Sequence, residues 1–187
     1  MATMVVPWRL VLPCGAFPSL FEDDSDVGFS NKAGACVSFA VDPGSSLDGE
    51  DSVVKIVGTQ AQQEAACRMI FCELCNYLGF ENLEDCMLML VIPSKAVEGV
   101  LSQCHAMRSS VKVDVEICAM STSKDNIVVF RGSQEDILVA VAIANAVVQD
   151  MAGLGHVVER DFPFEFTAAQ ASCAEGGAHS QMAEPQA

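Results

Sequence analysis

The residues with the most obvious chemistry are the cysteines, nine among 187 residues. Cys72-x-x-Cys75, with Cys67 just upstream, has the spacing of a zinc or redox pair. A closed zinc site needs four ligands, and no second C-x-x-C or histidine pair lies nearby. These thiols read instead as small apolar residues on one helix. Cys104-His105 offers a nucleophile beside a base. Adjacent residues do not face each other productively, and no acid–base set accompanies them. The expectation is a non-enzymatic chain with no catalytic residue, no metal ligand and no cofactor.

One other cluster has chemistry to offer. His105, Arg108, Ser109, Ser110 and Lys112 form the chain's single compact basic and hydroxyl-rich group. Such groups suit phosphates and base edges, and equally an ordinary solvated face. The surroundings are unfavourable to nucleic acid. Net charge is −15, and it is spread evenly: residues 1–80 carry four basic and ten acidic side chains, residues 81–161 six and twelve. A uniformly negative field repels phosphate and excludes strong non-specific binding. With one Trp and one Tyr, stacking platforms are few.

The elements that must position these residues come from a repeat. Val53–Tyr77 is an apolar run, then Gly58-Thr59-Gln60, then a long helical segment. The pattern returns at Ile127, with Gly132-Ser133-Gln134 74 positions later. Upstream, LVLP at Leu10–Pro13 returns as LVIP at Leu90–Pro93, 80 positions later. Thr59 and Ser133 have the hydroxyl of a helix N-cap. Gly79 suits a left-handed helix stop, and Glu135 and Asp136 favour the helix dipole. Strands are expected at Trp8–Pro13, Ala35–Val41, Val53–Val57, Met87–Pro93, Val111–Ile117 and Ile127–Phe130. In Val111–Ile117 the alternation points Lys112, Asp114 and Glu116 to water. Helices are expected from Gln60 to about Tyr77, from Ser94 to Ser109 as one or two short pieces, and from Gln134 to about Met151. Asp42–Asp51 reads as a turn-rich loop.

This order, with LV-[LI]-P opening and V-x-[IF]-x-G-[TS] before a long helix, resembles the type I K-homology (KH) domain. The pairing is similar to tandem KH proteins such as the poly(C)-binding family. Lys32-Ala33-Gly34-Ala35-Cys36-Val37 looks like that family's entry to its second strand. The resemblance implies an α+β fold of two KH-like units, each β-α-α-β-β-α with a three-stranded antiparallel sheet packed against helices. The units fall at 7–79 and 86–152, and 153–187 is a C-terminal extension, mostly disordered, in which HVVERDFPFEF offers one more extended segment. It also implies single-stranded RNA as ligand and a role in messenger RNA regulation.

The family's G-x-x-G clamp, whose glycines let the backbone approach the nucleotide chain, is missing. The corresponding stretches read Glu22-Asp23-Asp24-Ser25 and Gly99-Val100-Leu101-Ser102-Gln103-Cys104. RNA contact is therefore expected to be weak and carried by Lys95, Ser102, Gln103, His105, Arg108 and Lys112. The rival reading is a protein-interaction scaffold that keeps the fold without the ligand. A ferredoxin-like small-molecule regulatory domain is set aside, because each unit ends on a helix rather than a fourth strand. The helix over 135–149 is apolar on more than one face, which calls for a protein partner, self-association, the other unit or the Phe162–Phe166 segment. No run reads as long and apolar enough to cross a bilayer, so no membrane is expected. With no convincing export signal, free thiols place the chain in cytosol or nucleus.

Overall fold

Apolar runs separated by polar turns become strands, and the helical segments pack on one side of them. The computed structural model describes residues 5–13, 16, 32–40, 52–80, 85–107, 109–119 and 125–162. Its elements are β1 (Trp8–Leu12), β2 (Cys36–Ala40), β3 (Ser52–Val57), α1 (Gln60–Tyr77), β4 (Cys86–Pro93), α2 (Ser94–Ala106), β5 (Val113–Ala119), β6 (Asp125–Gly132), α3 (Gln134–Gly153) and a 3-10 turn, Glu159–Asp161. The fold is α+β, as expected from the sequence.

The sheets of the two halves are continuous. Six antiparallel strands run in the order β2-β3-β1-β4-β6-β5. The join is β1 against β4, with Leu10 opposite Leu90 and Val11 opposite Met89. The expectation of two separate three-stranded sheets is corrected to one shared sheet. The argument against a ferredoxin-like order also fails, since β4 lies beside β1 and supplies the first half with a fourth strand.

Alternation along the strands divides the sheet into two faces. Trp8, Leu10 and Leu12 join Leu88, Leu90, Ile92, Val128 and Phe130 in the main core, where they meet Ile70, Phe71 and Leu74 of α1, Ala96 and Val100 of α2, and Ile137, Val141 and Val148 of α3. Each large side chain so buried contributes about 1.5–3 kcal/mol. Val11, Val53, Met89, Val91, Ile127 and Val129 form a second cluster on the opposite face.

The repeated motif has a structural purpose in both halves. Thr59 caps α1 in a reciprocal box: its Oγ1 accepts from the Gln62 N–H at 3.3 Å, and Gln62 Oε1 accepts from the Thr59 N–H at 2.8 Å. Ser133 Oγ likewise accepts from the Asp136 N–H at 3.1 Å. At Gly132 a Cβ would lie 2.6 Å from the Lys112 carbonyl oxygen, so only glycine fits where β6 passes the entry to β5. Both long helices end on a left-handed glycine, Gly79 (φ 64°) and Gly155 (φ 75°). Phe80 N–H donates back to Cys75 O, and His156 N–H to Met151 O. The second stop lies beyond Gly153, where the sequence pattern was expected to end.

A buried amide cluster ties the long helices together. Gln63 of α1 donates to the Val6 carbonyl at 2.8 Å, and Gln149 of α3 accepts from the Val6 N–H at 3.0 Å. Gln149 Nε2 lies 3.0 Å from Gln63 Oε1 and 3.1 Å from Asn145 Oδ1. The packing of α3 against both other helices and the sheet accounts for its broad apolarity. Ile137, Leu138, Val141 and Val148 are buried within the chain, Ile143 and Val147 are half-buried, and Val139 is exposed. At 20 residues, α3 is also longer than the apolar run seen in the sequence. It is the one helix among the described residues long and apolar enough, by length and composition, to cross a membrane. Here it packs between α1 and α2 and carries the buried Asn145 and Gln149.

Two further expectations need correction. The second half has one unbroken helix, α2, where the resemblance implied two and the spacing alone left one or two open. The corresponding stretch of the first half, including Glu22–Ser25, lies outside the described residues, as does Asp42–Asp51. The extension expected from 153 is built into the fold through Phe162, with Val157, Asp161 and Phe162 buried. Residues 163–187 lie outside the described residues.

Candidate nucleic-acid interface

The segment that would hold an RNA clamp is α2, which leaves β4 directly at Pro93. Asn126 Nδ2 donates to Ser94 Oγ at 2.7 Å and fixes this start against β6. Ala96, Val100 and Cys104 point into the core. Gly99, the one glycine of the stretch compared with the clamp, serves helix packing. A Cβ there would lie 3.2 Å from Val147 Cγ1 and 3.7 Å from Met151 Sδ of α3. Gly99 therefore faces a neighbouring helix, and the backbone around it is helical on both sides.

The six candidate residues are not gathered into one groove. Lys95 sits in the first turn of α2, ~15 Å along the axis from His105 at 1.5 Å per residue. Its ammonium is bound to Asp161 at 3.0 and 3.1 Å. A backbone bond from the Val158 N–H, reinforced by Lys95, holds the Asp161 carboxyl below its usual range. Ser102, Gln103 and His105 are exposed toward the helix C-terminus. Arg108 lies outside the described residues. Lys112 is exposed beyond the helix, at the entry to β5.

Lys112 borders a cleft of about 540 Å³ where β5 begins and β6 ends, lined by Asp85, Val111, Lys112, Val113, Asp114, Arg131 and Gly132. Two cations face two carboxylates there, so the cleft offers no concentrated positive field. Arg131 was missed in the sequence. What places it at the cleft is the register of the sheet, which sets Arg131 opposite Asp114. It reaches Glu116 at 4.0 Å, a long contact between side chains more than half exposed, worth little.

The buried thiols Cys67, Cys75 and Cys104 are not poised for nucleophilic chemistry. Burial pushes Cys67 up to about 12, the leading cause at Cys75 as well, also about 12, and raises Cys104. A thiol protonated at neutral pH is a poor nucleophile. Cys104 is buried while His105 is exposed, so the adjacent pair point apart. Cys75 and Cys86 bring their sulfurs to 3.8 Å as thiols. Among the described residues no group of three His, Cys, Asp or Glu could hold a metal ion.

No family model matches the chain, and no curated protein matches it. Among solved structures it is similar to the aspartate kinase of Clostridium acetobutylicum, described as an important allosteric enzyme for industrial amino acids production. Identity is 16% and the TM-score 0.24, over 76% of this chain and 32% of that one. The chain thus spans about a third of that protein's length, and a likeness of this size carries no argument about fold or function.

Proposed function

We propose that the chain is a non-enzymatic, protein-binding scaffold made of two KH-like units fused through their first strands. Support for two units comes from internal correspondence. Each half orders its strands with the third between the second and the first, β2-β3-β1 and β5-β6-β4. Each then runs from a glycine and a hydroxyl cap into a long helix with a left-handed glycine stop. The free thiols of the described cysteines suit cytosol or nucleus.

The observation that carries the scaffold reading over an RNA clamp is the continuity of α2. A clamp needs a glycine turn whose N–H groups point outward. In α2 those groups are committed to helical bonds, and Gly99 is used against α3. One observation favours residual RNA contact, namely that Ser102, Gln103, His105 and Lys112 are all exposed. Single-stranded RNA in the course of messenger RNA regulation is therefore the second reading.

Titration of the full chain against short labelled C-rich and mixed single-stranded RNAs, followed by anisotropy at low and moderate salt, separates the two. The scaffold reading expects no saturable binding even at low salt. Micromolar or tighter binding that weakens in Lys112→Ala and in Arg108→Ala would overturn it in favour of RNA contact.

A further inference from the structure

Cys75 and Cys86 are two buried thiols in contact, with sulfurs 3.8 Å apart. They come from different elements. Cys75 sits in the last turn of α1, and Cys86 is the first residue of β4. They are 11 positions apart, on either side of the link that joins the two halves. The side chain of Gln134, the first residue of α3, also bonds Cys75. The pair therefore lies where the end of α1 meets the starts of β4 and α3. Among the described residues no group of three His, Cys, Asp or Glu could hold a metal ion. The chemistry open to two touching thiols is then oxidation to a disulfide, whose sulfurs stand ~2 Å apart.

Two features of the surroundings give the pair an order of reaction. The first is access. Asp85, the residue before Cys86, and Gly132, the partner of Cys86 in register on β6, both line the cleft of about 540 Å³. A water molecule takes ~30 Å³, so a peroxide, two oxygens in size, fits beside the residue that precedes Cys86. The cleft balances two cations against two carboxylates and sets no net charge against an uncharged oxidant. The second feature is the direction of the hydrogen bond. Cys75 Sγ donates and Cys86 Sγ accepts. Donation to a charged form favours that form. Burial first, and then this bond, push the Cys75 thiol up to about 12 and keep it protonated. Cys86 is thus the sulfur that attacks, and Cys75 the one that resolves.

We propose that Cys75 and Cys86 form a reversible redox latch, closed by hydrogen peroxide and opened by a dithiol reductant, that ties α1 to β4 across the join of the two halves. In the first step the Cys86 sulfur attacks one peroxide oxygen. An S–O bond forms, the O–O bond breaks, and the leaving hydroxide takes the Cys86 proton as water. In the second step the Cys75 sulfur attacks the sulfenic sulfur. The S–S bond forms, the S–O bond breaks, and the hydroxyl leaves with the Cys75 proton as a second water. Two thiols together lose two electrons, and one peroxide is reduced to two waters. A buried thiol is a poor nucleophile, but contact with the sulfenic sulfur compensates through effective concentration. Two exchange steps with a dithiol restore both thiols and leave the reductant as its own disulfide. The Phe80 N–H at the end of α1 donates to the Cys75 carbonyl, so the closed latch fixes that helix stop together with the strand start.

The test is independent of whether the chain binds RNA or protein. Reduced full-length protein is treated with hydrogen peroxide under native conditions. Cleavage after Glu73, Glu81 and Glu84 places Cys72, Cys75 and Cys86 on separate peptides, so mass spectrometry without reduction reads the bridge directly. A linked Cys75–Cys86 peptide should appear and should vanish with dithiothreitol. The oxidised protein should melt ~5–10 °C above the reduced one, because the bridge closes a short loop in the unfolded chain. Cys72→Ser should keep both effects, and Cys86→Ala should lose both. A Cys72–Cys75 bridge, a Cys75–Cys86 bridge formed only in urea, or no bridge at all would overturn the proposal. So would a native bridge that leaves the melting temperature unchanged or lower. If Cys86→Ala fails to fold, the peptide map of the unaltered chain and the Cys72→Ser variant still decide the matter.

Discussion

Arg9 and Asp125 form a buried pair that bridges the two halves. Arg9 lies on β1 of the first half and Asp125 opens β6 of the second. The contact is bidentate, with Nη2 donating to Oδ1 at 2.7 Å and Nη1 to Oδ2 at 3.0 Å. Side-chain exposure is 4% and 8%, so water cannot replace a lost partner. Removing one member leaves a charge in a desolvated site, which costs about 3–5 kcal/mol. Replacing both by apolar residues of similar volume is often neutral or stabilising. Asp125→Ala is therefore expected to lose about 3–5 kcal/mol, a large share of the about 5–15 kcal/mol of a typical domain. Arg9→Met should lose a similar amount, and Arg9→Met/Asp125→Leu should recover most of it. Urea unfolding read by two probes is the assay. The sole tryptophan, Trp8, is on β1 and reports the first half, while circular dichroism reports the whole chain. Because the pair crosses the shared sheet, Asp125→Ala should move both transitions together. A loss below about 1 kcal/mol in Asp125→Ala, with the pair so buried, would refute the reasoning on energy. A shift of the dichroism transition with the Trp8 transition unmoved would refute the single cooperative body.

Three further outcomes test the local arguments. Gly132→Ala should destabilise by about 1–3 kcal/mol in thermal or urea unfolding, because its Cβ would meet the Lys112 carbonyl, a backbone atom, at 2.6 Å; an unchanged midpoint would mean that the β5 entry shifts freely. Thr59→Ala and Ser133→Ala should each lose about 1 kcal/mol from the loss of a cap, and additively, since the two helix starts share no partner. The Asp161 carboxyl is held below its ordinary value by the Val158 N–H and Lys95. Its folded value is depressed, so its stabilisation is present above the unfolded value of about 4 and is lost as pH falls through the folded value. Asp161→Asn should lower the melting temperature at neutral pH and flatten its decline below about pH 4; parallel curves for the two proteins would refute the assignment.

Much of the fold was legible because it rests on short-range signals. Gly58-Thr59 and Gly132-Ser133 announce caps through residue type alone, and Val111–Ile117 alternates visibly. What was missed is long-range. The run from Ser94 to Ser109 lacks a strong internal stop, and only the packing of Gly99 on Val147 and Met151 explains why it stays one helix. The candidate RNA residues were grouped by nearness in sequence. Lys95 is drawn away by Asp161, 66 positions later, a partner that no local pattern could supply. Arg9 stands within an apolar run, and the carboxylate that pairs with it is 116 positions away. The helix stop at Gly155 was within reach, since Leu154-Gly155 repeats Leu78-Gly79, but the glycine at 153 drew the boundary early.

The join between β1 and β4 follows from the same chemistry that opened the two halves. WRLVL is buried at every position, and CMLMLVIP at all but one. A strand buried on both faces reads as a continuous apolar run rather than an alternating one. Taken alone, either half would leave that first strand at an edge, with unpaired backbone groups along an apolar segment, a template for aggregation. Pairing the two first strands removes both such edges at once. The edges that remain are β2 and β5. β5 presents Asp114 and Glu116 to solvent beside Lys112, and charges on an edge discourage further pairing. The distribution of charge thus selects which edges close. A chain carrying only one half would have to find another partner for its first strand, so the doubling of the motif and the continuity of the sheet are one solution to one problem.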